Sequence, residues 1–142
     1  MREIGLPGQK KLKAGRVLLI GAGGLGSPAA LYLAGAGIGV LGLVDADIVD
    51  ESNLHRQVIH TEARVGVNKT RSAKKTISEF NRFTNVVTFE TRLNSENAAE
   101  IIGSEEHAWD IVMDGSDNAG TRYLINDACV IFKKPLVSGS AL

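Results

Sequence analysis

The chain has 142 residues, with sixteen basic and sixteen acidic side chains and a formal net charge of zero. Hydrophobic residues make up 44% and charged residues 23%, which is typical of a folded globular protein and excludes a disordered or fibrous one. The balanced charge gives no general attraction to nucleic acids or anionic membranes, so any anion must be bound locally. No apolar run is long enough for a membrane span, and the opening residues form no signal peptide. We therefore expect one cytoplasmic domain over residues 1–142.

Short apolar runs alternate along the chain with longer segments of helical period. This alternation predicts an α/β fold, Rossmann-like and doubly wound, with a mainly parallel sheet and helices on both faces. The predicted strands are Val17–Ile20, Val40–Val44, Val86–Thr91, Ile111–Met113 and Leu136–Val137.

Four helices are predicted between the strands: Leu25–Ala36, one from the N-cap Asn68, one from a Ser95 cap to Gly103, and Ala119–Phe132. The second should bury Ala73, Ile77 and Phe80 and expose Arg71, Lys74 and Lys75. The last carries an apolar stripe of Leu124, Ala128 and Ile131 and holds the single cysteine, Cys129, which we expect to be structural.

A glycine-rich loop follows the first predicted strand, with Gly21, Gly23 and Gly26 in the pattern G-x-G-x-x-G. Glycines let the backbone approach a phosphate, and the start of the next helix offers free N–H groups. Asp45 ends the second strand, at the spacing of an acid that binds a ribose hydroxyl. These features predict a nucleotide site but do not distinguish NAD from ATP, so an NAD-binding oxidoreductase remains an alternative.

The irregular segment Asp47–Val67 and the helix after it contain cations that hydride transfer does not need. Arg56 and Lys69 can neutralise a departing pyrophosphate, with Asn53 as a neutral donor. Asp117 follows the fourth strand, where a carboxylate suits a Mg²⁺ ion that bridges phosphate oxygens. Its alternative role is to cap the following helix.

The chain resembles the adenylyltransferases that include MoeB and ThiF, the sulfur-carrier activating enzymes related to ubiquitin-activating enzymes. The resemblance rests on long ordered strings: GAGGLGSPAALYLAGAG, LGLVDADIVDESNLHRQVIH, VGVNK, DGSDNAGTRYLINDACV and PLVSGSAL. The strings SNLHRQVIH and VVTFETRLNSENA are slightly nearer the eukaryotic two-domain enzymes that activate a ubiquitin-related modifier for tRNA thiolation.

The resemblance implies which residues bind ATP and Mg²⁺. The catalytic residues it implies are Arg56, Lys69 and Asp117, with Asp117 also expected to bind Mg²⁺. The nucleotide-binding residues it implies are Gly21, Gly23, Gly24, Gly26, Asp45, Ser52, Asn53, Leu54, His55, Arg56, Lys69, Asp117 and Asn118.

The implied reaction is adenylation of the C-terminal glycine of a ubiquitin-like sulfur carrier ending in Gly-Gly, for molybdopterin, thiamine or tRNA thiolation. The resemblance also implies a homodimer, without nucleic acid or membrane as a direct partner. Relatives begin with an arginine-bearing arm, which Arg2 does not match, and hold structural zinc in a C-terminal half that is missing here. A non-catalytic nucleotide-binding or dimerisation fragment is therefore a further alternative.

Overall fold

A computed structural model describes residues 4–140 of the chain. The predictions that concern Met1–Glu3, Arg2 among them, and the final residues Ala141 and Leu142 lie outside the described residues. No described helix is both long enough and apolar enough to cross a membrane.

Five parallel strands form the sheet, in the order β3-β2-β1-β4-β5. Their bounds are Arg16–Ile20 (β1), Val40–Val44 (β2), Asn85–Phe89 (β3), Ile111–Asp114 (β4) and Leu136–Ser138 (β5). The chain runs outward from β1 to β3 and then returns to the other side of β1, so β1 and β4 flank the topological switch point. The predicted Rossmann-like α/β fold is confirmed, and the sheet described is wholly parallel.

Five α-helices connect or precede the strands. They are Gly5–Ala14 (α1), Gly26–Ala36 (α2), Lys69–Phe80 (α3), Ala98–Ile102 (α4) and Ala119–Ile131 (α5). Two short 3₁₀ helices, Glu51–Asn53 and Glu62–Arg64, lie in the long connection between β2 and α3.

Two hydrophobic cores lie on opposite faces of the sheet because successive side chains of a strand point to opposite sides. In β1, Leu18 and Ile20 face a core that includes Ile102 of α4 and Ile125 of α5. Val17 and Leu19 face the other core, built with residues of α2 and α3. Helices therefore cover both faces, as the doubly wound fold requires.

The helix α1 was not predicted from the sequence. None of its residues is buried, and its two leucines, Leu6 and Leu12, do not have the spacing of three or four residues by which a helix is recognised. It is held partly by polar contacts, such as the bond from Gln9 Nε2 to the carbonyl of Ala36 at 3.0 Å. Tertiary contacts, rather than an apolar face, account for its position.

Three local predictions are wrong. Phe80 is 60% exposed and Ile131 70% exposed, although both were assigned to buried stripes. In α5 the inner positions are taken by Ile125, Ala128 and Cys129, which leaves Ile131 on the outer side. Ser95 does not cap α4, because the side chain of Asn94 accepts the neighbouring N–H groups instead.

Candidate functional site

A cleft of about 790 Å³ opens at the carboxyl ends of β1, β2 and β4, at the switch point of the sheet. Ligands bind in this crevice in open α/β sheets generally. The cleft is lined by groups from five parts of the chain: the glycine loop after β1, the segment after β2, the start of α3, the segment after β3 and the turn after β4.

The glycine loop makes the floor of the cleft. Gly21 has a positive φ of 94° and lies so close to the turn after β4 that a Cβ would stand 2.8 Å from the carbonyl oxygen of Gly115. Gly26 is packed still more tightly, with a Cβ position 1.9 Å from the carbonyl oxygen of Gly21. Gly21, Gly23 and Gly24 line the cleft, and at Gly23 and Gly24 a Cβ would meet no atom closer than 3.7 Å. Gly21 and Gly26 are thus required by the tight packing of the turn, whereas Gly23 and Gly24 lie at its open side.

Helix α2 begins without a side-chain cap, because its N-cap residue is Leu25. Over residues 4–140, no protein acceptor is found for the backbone N–H groups of Gly23, Gly24 and Leu25. Unpaired N–H groups and the positive end of the helix dipole are what an anion requires. The start of α2 can therefore hold phosphate oxygens.

Asp45 ties the glycine loop to the segment after β2. One carboxylate oxygen accepts the N–H of Ala22 at 2.8 Å, and the other accepts the N–H of Asp47 at 2.9 Å. Asp45 also lines the cleft, and a carboxylate has about four acceptor positions. Acceptor positions remain for the hydroxyl groups of a ribose.

His60 is buried behind the same loop. Its Nε2 lies 2.9 Å from the carbonyl oxygen of Ala22, and its Nδ1 lies 2.9 Å from Oγ of Ser72 on α3. Burial, which is the largest influence, lowers the pKa of His60 below its ordinary value, and the cations Lys69 and Arg64 lower it further. The imidazole is therefore a neutral brace between the loop and α3.

Lys69 is the first residue of α3 and is only 6% exposed, although it lines the cleft. Its Nζ lies 3.1 Å from Oδ2 of Asp47, and Arg92 approaches the other oxygen of Asp47 at 3.9 Å. A buried ammonium needs a compensating partner. Asp47 supplies that partner and holds the Lys69 ammonium at the edge of the cleft.

The Arg56 side chain lies over the open side of the glycine loop, near Gly24. Its guanidinium donates to Oδ1 of Asn53, and its Nη1 lies 3.4 Å from Nε2 of His55. Asn53 therefore orients the cation and does not itself line the cleft.

Ser52 is turned toward Asp50, whose carboxylate accepts both the hydroxyl and the backbone N–H of Ser52. These hydrogen bonds lower the pKa of Asp50 below its ordinary value. The pair caps the first 3₁₀ helix, so Ser52 has a local structural role.

The turn after β4 is organised by Asp114, which is only 4% exposed. Its Oδ1 accepts the N–H of Ser116 at 2.9 Å and the Ser116 hydroxyl at 2.6 Å, and its Oδ2 accepts the Ser138 hydroxyl at 2.9 Å. Arg122 donates to the carbonyl of Ser116 at 3.1 Å. The backbone that presents Asp117 to the cleft is thus fixed from both sides.

Helix α5 is capped by Asn118, whose side chain accepts the N–H of Thr121 at 2.9 Å. The alternative in which Asp117 caps this helix is therefore wrong. Among the described residues, no hydrogen bond or ion pair involves the Asp117 carboxylate, which lines the cleft. Asp117 can accept a ligand.

The acidic side chains of the cleft do not form a metal cluster of their own among the described residues. Within residues 4–140, no three His, Cys, Asp or Glu side chains converge on one point. Mg²⁺ usually takes one or two carboxylates together with phosphate oxygens and water, so the Asp117 carboxylate, which has no partner among the described residues, fits that ion beside a phosphate loop.

Cys129 lies away from this chemistry. It is buried, and burial raises the pKa of its thiol, with a further contribution from the charge of Asp114. A buried thiol with a raised pKa is unreactive. The prediction that Cys129 is structural is confirmed.

The structure brings most of the predicted site together. The predicted residues that line the cleft are Gly21, Gly23, Gly24, Asp45, Arg56, Lys69, Asp117 and Asn118. Those that do not line it are Gly26, Ser52, Asn53, Leu54 and His55, and their contact with a nucleotide stays a prediction.

Four of the charged or amide side chains that line the cleft were not assigned a role from the sequence: Asp47, Gln57, Arg92 and Arg122. Gln57 is 5% exposed, and its Oε1 is buried without a hydrogen-bond partner among the described residues. The string SNLHRQ contains Gln57, but its amide is neutral, and the sequence argument selected charged side chains that could bind phosphate or Mg²⁺. Arg92 follows β3 and lies within the string VVTFETRLNSENA, but it is distant in sequence from the glycine loop, so the fold brings it to the cleft.

The chain is similar to known proteins along its whole length. The sequence model of the ThiF family matches residues 1–142. The adenylyltransferase and sulfurtransferase MOCS3 of Dictyostelium discoideum is 59% identical over 140 residues, which are 99% of this chain and 32% of that protein. The corresponding protein of Aedes aegypti is 54% identical over 142 residues, all of this chain and 32% of the relative. The chain thus spans about a third of these relatives.

Solved structures share the fold. The E. coli tRNA N6-threonylcarbamoyladenosine dehydratase TcdA, in complex with ATP, superposes with a TM-score of 0.90 at 27% identity, over 96% of this chain and 55% of that one. E. coli MccB with MccA-N7isoASN gives a TM-score of 0.81 at 30% identity, over 92% of this chain and 37% of MccB.

Proposed function

This chain belongs to the ThiF family, and from that premise we propose that its cleft binds Mg²⁺-ATP and adenylates a protein carboxylate. One observation carries the proposal: Lys69, Arg56 and Asp117 line the same cleft as the glycine loop. Two cations and a free acid beside a phosphate loop suit a triphosphate, whereas hydride transfer from NAD uses none of them. The ATP complex of the related TcdA structure supports the same ligand.

Each part of the nucleotide has a suitable partner. Asp45 accepts the ribose hydroxyls, and the N–H groups at the start of α2 hold phosphate oxygens. Lys69 and Arg56 neutralise the β- and γ-phosphates. Asp117 would hold Mg²⁺, which when bound neutralises charge on the phosphate oxygens. Residues 1–142 form one ATP-binding domain in this proposal.

The reaction is an attack by a carboxylate oxygen of the acceptor on the α-phosphorus of ATP. The new oxygen–phosphorus bond gives an acyl adenylate, and the bond to the bridging oxygen breaks to release pyrophosphate. A terminal carboxylate has a pKa of about 3.3–3.7, so it is already ionised and needs no general base. The site therefore works by orientation and charge neutralisation.

The proposed acceptor is the C-terminal glycine of a ubiquitin-like sulfur-carrier or modifier protein ending in Gly-Gly. The MOCS3 relatives are named as adenylyltransferases and sulfurtransferases, and this supports an adenylation that is coupled to sulfur transfer. We place the activity in sulfur transfer to a pterin, a thiazole or tRNA, and we propose that the chain acts as a homodimer.

The test combines binding and exchange. We expect calorimetry to show that Mg²⁺-ATP binds in preference to NAD, and a Gly-Gly-ended carrier to support exchange of pyrophosphate into ATP. Lys69→Ala should slow exchange about 100-fold, because fixed charge at a leaving group is worth that much. Lys74→Ala is the matched control, since Lys74 lies on the exposed face of the same helix and should leave exchange unchanged.

Preference for NAD would contradict the proposal and favour the oxidoreductase. Binding of ATP without exchange, with carrier present, would favour a non-catalytic nucleotide-binding module. Equal exchange by the Lys69→Ala and Lys74→Ala proteins would remove Lys69 from the mechanism.

A further inference from the structure

One buried side chain reaches the phosphate-binding loop from behind. His60 is 5% exposed, and both of its ring nitrogens lie within hydrogen-bonding distance of a partner. The Nε2 atom faces a carbonyl oxygen, that of Ala22, and a carbonyl can only accept, so Nε2 carries the hydrogen. In the neutral ring Nδ1 is then an acceptor, and the Ser72 hydroxyl donates to it.

The Ala22 carbonyl shares its peptide plane with the N–H of Gly23. In a trans peptide the C=O and N–H bonds point in opposite directions. The Ala22 carbonyl points toward buried His60, so the Gly23 N–H points the other way, and Gly23 lines the cleft. The orientation of one buried carbonyl thus fixes the direction of one N–H group in the cleft.

We propose that His60 is a positioning residue that aims the Gly23 N–H at a phosphate of the bound nucleotide. The proposal rests on the proposed function only in that the cleft binds a nucleoside polyphosphate. The Ser27 hydroxyl also approaches the Ala22 carbonyl, but at 3.4 Å, longer than the 2.9 Å of the His60 contact. Gly23 tolerates many backbone conformations, so this peptide needs an external restraint.

The same imidazole also sets the loop against α3. Its second partner, Ser72, lies one helical turn after Lys69, whose ammonium is at the edge of the cleft. His60 therefore joins an N–H donor and a cation in one rigid unit. Preorganised donors lose little free energy when the ligand arrives.

Two substitutions separate the two bonds of His60. A glutamine amide reaches about as far as Nε2, so His60→Gln keeps a donor for Ala22. An asparagine amide ends near the position of Nδ1, so His60→Asn keeps a partner for Ser72 and loses the bond to Ala22. The two amides otherwise differ by a single methylene group, which makes them a matched pair.

The measurement compares ATP with adenosine by calorimetry, because adenosine lacks the phosphates. We expect His60→Asn to weaken ATP binding about 10- to 100-fold, the effect of one lost hydrogen bond to a charged group, with adenosine binding unchanged. His60→Gln should keep most of the ATP affinity. An equal loss for both ligands, or unchanged ATP binding in His60→Asn, would overturn the proposal.

A second measurement needs no substitution, in case His60→Asn does not fold. In the wild-type chain, the amide resonance of Gly23 should shift strongly when inorganic pyrophosphate is added. A Gly23 resonance that does not respond would overturn the proposal.

These results are separable from failure of the adenylation proposal. ATP binding without pyrophosphate exchange would defeat adenylation and leave the His60 comparison intact. Equal wild-type affinities for ATP and adenosine would overturn the phosphate contact itself, and with it the role of His60.

Discussion

Two turns meet at the switch point of the sheet, one after β1 and one after β4, and they differ in whether a side chain caps the helix that follows. The first leads into α2, whose N-cap is Leu25 and which has no side-chain cap. The second leads into α5, where Asn118 caps the helix and satisfies the N–H of Thr121. The first turn leaves N–H donors for an anion, whereas the second presents the carboxylate of Asp117. The cleft thus offers donors on one side and an acceptor on the other.

The largest expected effect concerns a glycine at the start of each helix. Gly26→Ala would place a Cβ 1.9 Å from the carbonyl oxygen of Gly21, so we expect a loss of about 3 kcal/mol or more in unfolding free energy. In Gly120→Ala the Cβ would meet only Oδ1 of Asn118, at 3.7 Å. That variant should be more stable by about 0.5–1 kcal/mol, because it reduces the freedom of the unfolded chain.

Urea denaturation of both proteins would measure this difference. Equal stability of the two variants would show that the first turn is not packed more tightly than the second.

The next effect belongs to the second turn alone. Asp117→Asn removes the free carboxylate, and we expect the apparent Mg²⁺ affinity in pyrophosphate exchange to fall about 10- to 100-fold, as is usual when a group supporting a metal is lost. Asp127→Asn, on the exposed face of α5, is the control and should change nothing. An unaltered Mg²⁺ titration for Asp117→Asn would contradict the proposal that the Asp117 carboxylate binds Mg²⁺.

The smallest expected effect is a pH dependence of the free energy of unfolding, which arises from His60 behind the first turn. The pKa of His60 is lowered in the folded chain, so the unfolded chain binds the extra proton more readily. The His60 contribution to stability is therefore complete above the unfolded pKa of about 6.5 and is lost as pH falls below it, at no more than about 1.4 kcal/mol per pH unit.

Denaturation of the wild-type and His60→Gln proteins between pH 7.5 and 5 would isolate this contribution. We expect the slope of stability against pH to be smaller in the variant, and identical slopes would contradict the assignment.

The sequence predicted the first turn well because its signal is local. Gly21, Gly23 and Asp45 have fixed spacings relative to two apolar strands, and those spacings follow from backbone geometry. Helix α3 and its N-cap Asn68 were predicted correctly for the same reason. The β-strands needed only adjustments at their ends.

The remainder of the site depends on contacts between distant segments. His60 touches Ala22 only because the long connection after β2 folds back under the glycine loop. Arg92 joins Asp47 only because β3 lies beside β2. Helix α1 was not predicted because its two leucines, Leu6 and Leu12, do not form a helical apolar period. The residue pattern of a single segment does not indicate which distant residues it will contact in the fold.

The buried carboxylate of Asp114 has a consequence for how the protein is made. Asp114 ends β4, directly before the turn that carries Asp117, and its carboxylate accepts a hydrogen bond from Ser138 on β5. The hydrogen bonds of His60 in the first turn involve no residue later in the chain than Ser72. A ribosome adds about 5–20 residues per second, so Ser138 leaves the synthetic machinery on the order of 3–13 seconds after Ser72. During synthesis, the hydrogen bonds of His60 to Ala22 and Ser72 can therefore form before Ser138 is available to bind the Asp114 carboxylate.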